Sequence, residues 1–322
     1  MPTISVIIVN FNACNVLRDC LASLPESAPG YALETLVVDN ASHDGSVQMV
    51  CREFPWATVI ANDRNLGFAT ANNQAMAVAT GDFILLLNCD TIVHGDALGR
   101  MAGFLAAHPE AGAVSSVLLN GDGSYQQAAY RFNTLWSEFC EHTRLWKLPD
   151  RARVIMRLSY PRPHEATLVD WVTGAVLMIT RAVYDRVGGL DEDFFMYAED
   201  ADWCARIGAA GWKTYLLPEA RITHLGGQSS GTMRRELRMA MYDSKYRFLA
   251  KNGYARPLWL VRAMAVAGLA AQWGAARAVS LCPPLRERAS RAAGVAAYCF
   301  RAHLFGRPAE YRELVARRTG KA

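Results

Sequence analysis

Four short apolar runs rich in β-branched residues alternate with helical patterns over about the first 120 residues, and this alternation limits the fold more than any other feature. In the first connection, Val16, Cys20 and Leu24 lie at spacings that place one apolar stripe on a helix. Strands that alternate with such helices form βαβ units, and a buried parallel sheet needs helices on both faces. We therefore predict an α/β fold with a mainly parallel sheet. The predicted strands are Ile4 to Val9, Glu34 to Asp39, Ala57 to Ala61 and Phe83 to Leu87.

The chain of 322 residues is 52% hydrophobic, which is enough for one large domain and an appendage. A net charge of +4 is too small to indicate nucleic-acid binding, so we expect no nucleic-acid partner. We place the boundary near residue 230, with a catalytic domain at 1–230 and a basic, helical extension at 231–322. No internal repeat is evident, and the pattern leaves the oligomeric state open.

The extension combines an apolar segment with a basic end. From Pro283 onward there are 9 Lys and Arg against 3 Glu, and the preceding segment from Leu258 to Leu281 is mostly apolar. Arg262 and Arg277 interrupt that segment, and charges near a helix centre cost about 2.5–3.5 kcal/mol each in a bilayer. We therefore expect an interfacial or docking helix in peripheral contact with the inner membrane face, with a solvated, charged helical end as the alternative.

The eight cysteines are scattered, with no C-x-x-C pair of the kind that binds zinc or carries redox chemistry. We interpret them as reduced core residues of a cytosolic protein. The sequence from Ile4 to Val9 lacks the charged flank and cleavage site of a signal peptide, so we expect a cytoplasmic location.

Polar residues follow three of the predicted strands at their carboxyl ends. Ligands of open α/β sheets bind beyond this edge, so we expect these side chains to converge on one site. The residues are Asn10, Asn12, Asp39, Asn40, Asn88 and Asp90.

Two of these segments have the features of a nucleotide site. Asp39 closes a strand, where a carboxylate can accept a hydrogen bond from a base, and the Asp44-Gly45 turn opens the next helix. Gly67 permits close backbone approach at a predicted helix start, where free N–H groups favour phosphate, and Arg64 adds a cation. The alternatives are an ordinary turn with a cap at the first segment, and a helix cap made by Asn65 at the second.

The triplet Asn88-Cys89-Asp90 follows an apolar strand and places an oxygen ligand at the sheet edge. Such a ligand suits Mg²⁺ or Mn²⁺ bridging a diphosphate. His224, beside a Gly-rich turn, is a candidate to complete the coordination, although a lone histidine is more often structural.

Six carboxylates fall within 12 residues between Asp191 and Asp202, interleaved with aromatic residues. One carboxylate at a helix start in a cleft can take a proton from a hydroxyl nucleophile. We assign this role to Asp200, with Glu199 orienting the site or the acceptor. The alternative is an acidic helix N-terminus stabilised by the helix dipole.

Taken in order, these segments resemble the inverting family 2 glycosyltransferases, and more closely their bacterial rhamnosyltransferase-like branch. The resemblance covers about residues 3 to 250, and five motifs in this order are far more specific than any one of them. The motifs are ISVIIVNFN at 4–12, VVDNAS at 37–42, NLGFA at 65–69, GGLDE at 188–192 with Glu199-Asp200, and His224.

The resemblance implies a GT-A fold, a nucleoside-diphosphate sugar as donor, an essential Mg²⁺ or Mn²⁺, and a single displacement with inversion at the anomeric carbon. It also implies that Asp39 contacts the pyrimidine base, that Asp200 is the base, and that Asp90 and His224 bind the metal. With the residues reasoned above, the expected donor-binding set is Asn10, Asn12, Asp39, Asn40, Arg64, Asn65, Gly67, Asn72, Asn88, Asp90 and Gly174.

The motif at 88–90 departs from the family, because its first position is Asn88 in place of Asp. Asn at this position is frequent in the rhamnosyltransferase-like branch, so dTDP-rhamnose is the leading donor, and a UDP-hexose is the alternative. The basic, aromatic tail favours a lipid-linked saccharide or a cell-surface polysaccharide as acceptor.

Two other classes of protein fit less well. A nucleotidyltransferase should open with a Gly-rich basic loop, whereas here Asn10-Phe11-Asn12 follows the first strand. A silent carbohydrate-binding scaffold of the same fold would not need Asp90, Asp200 and His224 together.

Overall fold

The computed structural model describes residues 1–143, 145–194, 196–226, 234–280 and 286–307. The strands are β1 Thr3–Asn10, β2 Ala32–Asp39, β3 Thr58–Ala61, β4 Phe83–Leu87, β5 Thr91–His94, β6 Ala111–Leu119, β7 Tyr125–Gln126, β8 Ala129–Tyr130, β9 Thr167–Val169, β10 Trp171–Val172, β11 Val176–Thr180 and β12 Lys213–His224. The helices are α1 Cys14–Ala22, α2 Ser46–Glu53, α3 Phe68–Val78, α4 Ala97–Ala107, α5 Leu135–His142, α6 Asp150–Ile155, α7 Arg181–Val187, α8 Glu199–Ala209, α9 Arg234–Asn252, α10 Leu258–Val279 and α11 Arg286–Phe305, with a 3₁₀ turn at Leu145–Lys147.

The main sheet has the strand order β3-β2-β1-β4-β11-β6-β12-β5, with β7 added to β6 and β9 added to β12. Strands β1 to β4 are mutually parallel neighbours, as the alternating pattern predicts. β11 lies antiparallel between β4 and β6, and β5 pairs antiparallel with β12. The predicted α/β class with a mixed, mainly parallel sheet is confirmed, and all four predicted strands are present within two residues of their expected ends.

The core lies between the central strands and their helices. All five residues of β4 are buried, and Ile4, Val6, Ile7 and Ile8 of β1 are fully buried. The apolar stripe of α1 packs inward through Leu17, Cys20 and Leu21. A strand that is covered on both faces reads as a continuous apolar run, which is why β1 and β4 are so evident in the sequence.

The described residues fall into two compact units. The first comprises Met1–Arg131, Ser159–Phe195 and Glu199–Ser229 and contains the main sheet. The second comprises Phe132–Leu158, Met196–Ala198 and Ser230–Ala322, so α5 and α6 belong with the C-terminal helices. The predicted helical extension is present as α9, α10 and α11, and residues 308–322 lie outside the described ranges.

Within the second unit, a buried ionic cluster connects α5 and α9. Nζ of Lys245 lies 2.7 Å from Glu141 and 3.3 Å from Glu138. Burial raises the pKa of Glu138, but Lys245 and His142 lower it by more, so this carboxyl stays charged. In the same unit α10 approaches α5 closely at Gly268, where a Cβ would lie 2.8 Å from the carbonyl oxygen of His142.

The helix α10 is long and apolar enough to cross a bilayer by its length and composition, and little of it is buried. Of the cysteines in the described ranges, Cys20, Cys89, Cys140, Cys204 and Cys299 are buried, Cys14 is partly buried and Cys51 is exposed.

Candidate active site

The carboxyl ends of β1 and β2 meet at Asn10 and Asp39. These residues are paired across the two strands, and both are almost completely buried. Nδ2 of Asn10 donates to Oγ of Ser42 at 3.1 Å and lies 3.4 Å from Oδ2 of Asp39. Oδ1 of Asp39 accepts from the N–H of Ser42 at 2.9 Å, whereas among the described residues Oδ2 has only the long contact from Asn10. Asp39 therefore retains an oxygen that can accept a hydrogen bond from a ligand.

Asn12 connects the loops that follow β1 and β2. It adopts a left-handed backbone with φ 50°, and its Oδ1 accepts from the N–H of His43 at 2.8 Å. Its own N–H donates to Oγ of Ser42 at 2.9 Å. These bonds are internal to the protein, so the structure gives Asn12 a role in shaping the loops.

Asn40 lies at the centre of an amide network. Its Nδ2 donates to the carbonyl oxygen of Gly67 at 3.1 Å, and its Oδ1 accepts from Nδ2 of Asn62 at 3.0 Å. Asn62 in turn exchanges two hydrogen bonds with Gln74 of α3. The end of β2 is thereby fixed to the turn that begins α3.

The turn before α3 leaves backbone N–H groups available. Gly67 is the N-cap residue, with φ 85°, and no side chain caps the first turn of α3. Oδ1 of Asn65 accepts from the N–H of Gly67 at 2.9 Å, so Asn65 orders the turn and does not cap the helix. Arg64 is exposed beside this turn.

Two neighbouring asparagines of α3 have different partners. Asn72 is buried and donates to the carbonyl oxygen of Phe68 at 2.8 Å within its own helix. Asn73, which the sequence analysis did not single out, accepts from the N–H of Leu190 and donates to its carbonyl oxygen, both at 2.9 Å. Asn73 thus holds the GGLDE segment against α3.

Asn88, Asp90 and His224 lie together at the end of β4 and the end of β12. Nε2 of His224 is 3.3 Å from Oδ1 of Asp90 and 3.3 Å from Nδ2 of Asn88. The Asp90 and His224 side chains are 10% and 18% exposed, so a small ligand can reach both. Although the two residues are 134 positions apart, the antiparallel pairing of β12 with β5 brings them together.

The donor atoms of Asp90 and His224 suit a divalent cation. One carboxylate oxygen and one imidazole nitrogen 3.3 Å apart match adjacent corners of an octahedron, since ligands about 2.1 Å from Mg²⁺ lie about 3 Å apart. Within the described ranges no group of three or more His, Cys, Asp or Glu side chains is suited to hold a metal. Mg²⁺ usually takes one or two carboxylates and completes its shell with phosphate oxygens and water.

The segment Thr173-Gly174-Ala175 connects this pair to the acidic helix α8. The N–H of Gly174 donates to Oδ2 of Asp200 at 2.9 Å, and the carbonyl oxygen of Ala175 accepts from the N–H of Asn88 at 2.9 Å. A Cβ at Gly174 would lie 3.3 Å from the Phe68 ring and 3.5 Å from Cβ of Asp200. The five predicted motifs are therefore joined by a continuous series of contacts, although Arg64 takes part in none of them.

Glu199 and Asp200 are adjacent carboxyls at the start of α8. Burial and the neighbouring Asp200 charge raise the pKa of Glu199 to about 8. Burial also raises the pKa of Asp200, and the N–H groups of Gly174 and Ala201 offset this only in part. Of the two carboxyls, Asp200 is the one whose negative charge is stabilised by backbone donors.

Asp202, another carboxylate of the cluster, has a structural partner. Asp202 is fully buried and bonds to Nε of Arg206 at 2.8 Å. The same guanidinium donates to the carbonyl oxygens of Val187 and Gly189. Nε1 of Trp203 donates to Gly188 at 2.8 Å. Phe195 and residues 227–230 of the predicted motifs lie outside the described residues.

Trp171, two residues before Thr173, belongs to an aromatic pair. Trp171 and Tyr130 stack with ring centroids 4.6 Å apart, and Nε1 of Trp171 donates to the carbonyl oxygen of Arg131 at 3.1 Å. Both rings are partly exposed. Successive residues of an extended chain are about 3.3 Å apart, so Trp171 is about 7 Å along the backbone from Thr173.

Sequence reasoning missed Gln126, which contacts His224. Oε1 of Gln126 lies 2.7 Å from Nδ1 of His224, and the two residues are 98 positions apart. Gln126 belongs to the two-residue strand β7, in a stretch with no periodic pattern, so no signal in the sequence distinguished it.

The chain matches the family model described as glycosyl transferase family 2 over residues 5–157. It also matches the model for glycosyl transferase family group 2 over residues 83–241. The two matches together span residues 5–241 and so include all five motifs apart from Ile4.

Similar proteins include two rhamnosyltransferases. The N-acetylglucosaminyl-diphospho-decaprenol L-rhamnosyltransferase of Mycobacterium tuberculosis is 29% identical over 274 residues, which is 80% of this chain and 88% of that protein. Rhamnosyltransferase WbbL of Escherichia coli is 23% identical over 77% of this chain and 92% of that protein. A mannosyltransferase from Pyrobaculum calidifontis, solved with GDP-Man and Mn²⁺, shares the fold with a TM-score of 0.57 at 20% identity, over 95% of this chain and 87% of that one.

Proposed function

Because the chain belongs to glycosyl transferase family 2, in its rhamnosyltransferase-like branch, we propose that it transfers a sugar, with rhamnose from dTDP-rhamnose as the leading donor, to a lipid-linked saccharide with inversion at the anomeric carbon. The observation that carries this proposal is the series of contacts from Asp39 to Asp200. The name of the mycobacterial relative supports a lipid-linked acceptor, and both rhamnosyltransferases support the donor.

The nucleoside end of the donor belongs beside β1 and β2. Oδ2 of Asp39 is available to accept a hydrogen bond from the N–H of a pyrimidine, and the N–H of Ser42 holds Oδ1 of the same carboxylate. Asn40 holds the adjacent turn through Gly67. A base seated here leaves the diphosphate to extend along the carboxyl edge of the sheet toward β4.

Three features can hold the diphosphate by charge: a cation site, an exposed arginine and a helix N-terminus. Asp90 and His224 are the residues that would bind a Mg²⁺ or Mn²⁺, and such a cation, when bound, offsets the charge that develops on the leaving diphosphate. Arg64 is exposed next to the uncapped start of α3, where its guanidinium and the free N–H groups attract phosphate oxygens. Solved neighbours of this fold contain Mn²⁺ together with GDP-Man or UDP.

Asp200 is the proposed base. Both of its oxygens already accept one backbone N–H, which orients the carboxylate and leaves further lone pairs for a hydroxyl. Because burial raises its pKa, the carboxylate is a stronger proton acceptor than a solvated Asp. The acceptor O–H gives its proton to Asp200 as its oxygen bonds to C1, and the C1–O electron pair leaves with the diphosphate.

The protonated Glu199 supports this step. With a pKa of about 8, it is neutral at pH 7, so it does not add a second negative charge where Asp200 must ionise. The Trp171 and Tyr130 rings, close in sequence to Thr173, offer a flat apolar surface on which the acceptor sugar can stack.

We assign membrane contact to the second unit. Trp259 at the start of α10 is 69% exposed, Trp273 is 44% exposed, and Phe305 at the end of α11 is 83% exposed. Exposed arginines on both helices, such as Arg262 and Arg291, complement anionic lipid. We infer peripheral contact with the cytoplasmic face of the membrane.

The activity is tested with purified protein, Mn²⁺ or Mg²⁺, a short-chain polyprenyl-diphospho-N-acetylglucosamine acceptor, and dTDP-rhamnose, UDP-hexoses and GDP-mannose as donors. The expected product is a rhamnoside from dTDP-rhamnose alone, with the opposite anomeric configuration to the donor by NMR. EDTA and Asp90→Ala should abolish its formation, whereas the exposed Asp96→Asn should not.

A product formed only from a UDP-hexose would retain the enzyme class and replace the donor. Retention of anomeric configuration would contradict the single displacement. Full activity in EDTA would contradict the metal. Absence of product or donor hydrolysis across the panel would favour the silent scaffold.

Membrane contact is measured separately by co-sedimentation with phosphatidylglycerol vesicles, which Trp259→Ala/Trp273→Ala should weaken and Trp56→Ala should not.

A further inference from the structure

Gln126 makes three side-chain hydrogen bonds with polar groups around His224. Its Oε1 lies 2.7 Å from Nδ1 of His224, its Nε2 donates to the carbonyl oxygen of His224 at 3.1 Å, and its Nε2 also donates to Oδ1 of Asn120 at 2.9 Å. β7 pairs with β6, so the backbone that carries Gln126 is held by the main sheet.

These contacts fix which way the amide faces. Both N–H groups of the Gln126 amide are used by oxygen acceptors, and the reverse orientation would place Oε1 against those oxygens. Oε1 has no hydrogen to donate, so the contact with His224 requires a hydrogen on Nδ1. The neutral imidazole therefore carries its hydrogen on Nδ1 and a lone pair on Nε2.

The lone pair on Nε2 points into the candidate metal pair. Nε2 lies 3.3 Å from Oδ1 of Asp90, and both atoms are electron-pair donors. Nδ2 of Asn88, also 3.3 Å from Nε2, can donate a hydrogen to it. If the hydrogen moved to Nε2, the nitrogen would bond to Asp90 and could not bind a cation.

We propose that Gln126 is a positioning residue that holds His224 in the Nδ1–H tautomer, with Nε2 directed at a divalent cation shared with Asp90. This inference rests on the proposed metal site, and it extends the site by one residue that binds neither metal nor donor. Partners that accept the hydrogen bond from the remote N–H of a metal-binding histidine commonly contribute about 10- to 100-fold to metal affinity.

Two variants separate positioning from simple structural support. Gln126→Leu removes the acceptor for Nδ1 and both donated hydrogen bonds. Gln126→Glu replaces the donated bonds by an oxygen that faces their acceptors, so it removes the structural support, but it keeps an acceptor for Nδ1–H. The matched control is Gln127→Leu, because Gln127 is the next residue and its Nε2 donates to the carbonyl oxygen of Ala129 at 3.1 Å.

The tautomer is measured first, in metal-free protein labelled with ¹⁵N-histidine, with the His224 signals assigned by their loss in His224→Asn. We expect the proton on Nδ1 in the wild type and in Gln126→Glu, and a mixture or an Nε2–H form in Gln126→Leu. A wild-type proton on Nε2, or an unchanged tautomer in Gln126→Leu, would overturn the inference.

Mn²⁺ binding is then followed by EPR in the presence of dTDP. We expect Gln126→Leu to raise the Mn²⁺ Kd about tenfold or more, and Gln126→Glu and Gln127→Leu to stay within about threefold of wild type. Equal losses in Gln126→Leu and Gln126→Glu would indicate structural support only and contradict positioning. If the wild type bound no Mn²⁺, the metal part of the proposed function would fail, whereas normal wild-type binding with an unaffected Gln126→Leu would overturn this inference alone.

Discussion

The main-chain N–H of Gly174 donates a 2.9 Å hydrogen bond to Oδ2 of Asp200, and the carbonyl oxygen of the next residue, Ala175, accepts from the N–H of Asn88. One short segment thereby sets the position of the proposed base relative to the strand end that carries the proposed metal ligand. A Cβ at Gly174 would be in close contact with the Phe68 ring, so this segment also packs against the start of α3.

Replacing Asp200 with Asn should remove the proton acceptor and preserve the hydrogen bond from Gly174, since the amide oxygen can still accept. We expect transfer to fall by about 10²- to 10⁴-fold while the Kd for dTDP changes little. Initial rates and calorimetric titration test this prediction. The exposed Asp193→Asn serves as control, and a rate within about threefold of wild type in Asp200→Asn would remove Asp200 as the base.

Glu199→Gln should change how stability depends on pH. The folded pKa of about 8 lies above the ordinary value of 4.5, so the folded state holds a proton that the unfolded chain releases. Wild-type stability therefore falls as pH rises from about 4.5 to about 8, relative to the variant.

The difference in Tm, variant minus wild type, should increase across that range and then level off. Differential scanning fluorimetry from pH 5 to 9 measures it. The exposed Glu219→Gln should show no such trend, and a flat difference for Glu199→Gln would mean that Glu199 is ionised at neutral pH.

Arg64→Ala should weaken donor use without affecting folding, because the guanidinium is exposed beside the start of α3. We expect KM for the donor to rise about tenfold, which corresponds to about 1.4 kcal/mol, with an unchanged Tm. Arg64→Lys should recover part of the loss, and the effect should shrink at high salt. Arg52→Ala, which removes another exposed arginine, is the control; an unchanged donor KM would exclude Arg64 from the diphosphate site.

Trp171→Ala should impair acceptor binding and spare the donor. We expect a rise in acceptor KM of about tenfold with near-normal donor hydrolysis, because this ring is the proposed stacking surface for the acceptor sugar. Trp171→Phe should retain most of the affinity. Kinetics with varied acceptor provide the measurement, and an equal loss in donor hydrolysis would point instead to collapse of the two-stranded sheet of β8 and β10.

Gly189→Ala should destabilise the first unit. The new Cβ would lie 2.4 Å from Oδ1 of Asn73, and that side chain cannot move aside without losing its bonds to Leu190. We expect a loss of about 1–3 kcal/mol in the free energy of unfolding, measured in urea. Gly208→Ala, in α8 with no atom within 4 Å of the new Cβ, should be neutral or slightly stabilising.

Much of the fold could be predicted from local pattern. The strands β1 and β4 are buried on both faces, so their residues form continuous apolar runs, and the polar residues at their ends follow directly in the sequence. The order of the motifs was enough to identify the family, and the resemblance predicted roles for Asp39, Asp90, Asp200 and His224.

The acidic segment shows that local pattern does not predict the partner of each side chain. Asp200 and Asp202 are alike in sequence, yet Asp200 accepts from Gly174 whereas Asp202 forms an ion pair with Arg206. Asn72 and Asn73 differ in the same way, because one bonds within its helix and the other holds a distant loop. For Asp200 and Asn73, the partner lies more than 20 positions away in the sequence, so it depends on the tertiary structure.

The sequence by itself therefore determined the α/β class, the family and the residue types at the site, since these follow from short-range periodicity and from motifs of adjacent residues. Only the tertiary structure decided that β11 lies antiparallel between β4 and β6, that residues 132–158 join the C-terminal helices, and that Gln126 bonds to His224. The physical reason is that strand pairing and side-chain hydrogen bonds between distant segments depend on how the whole core packs. A two-residue strand such as β7 is also too short to show a periodic pattern that would predict its partner.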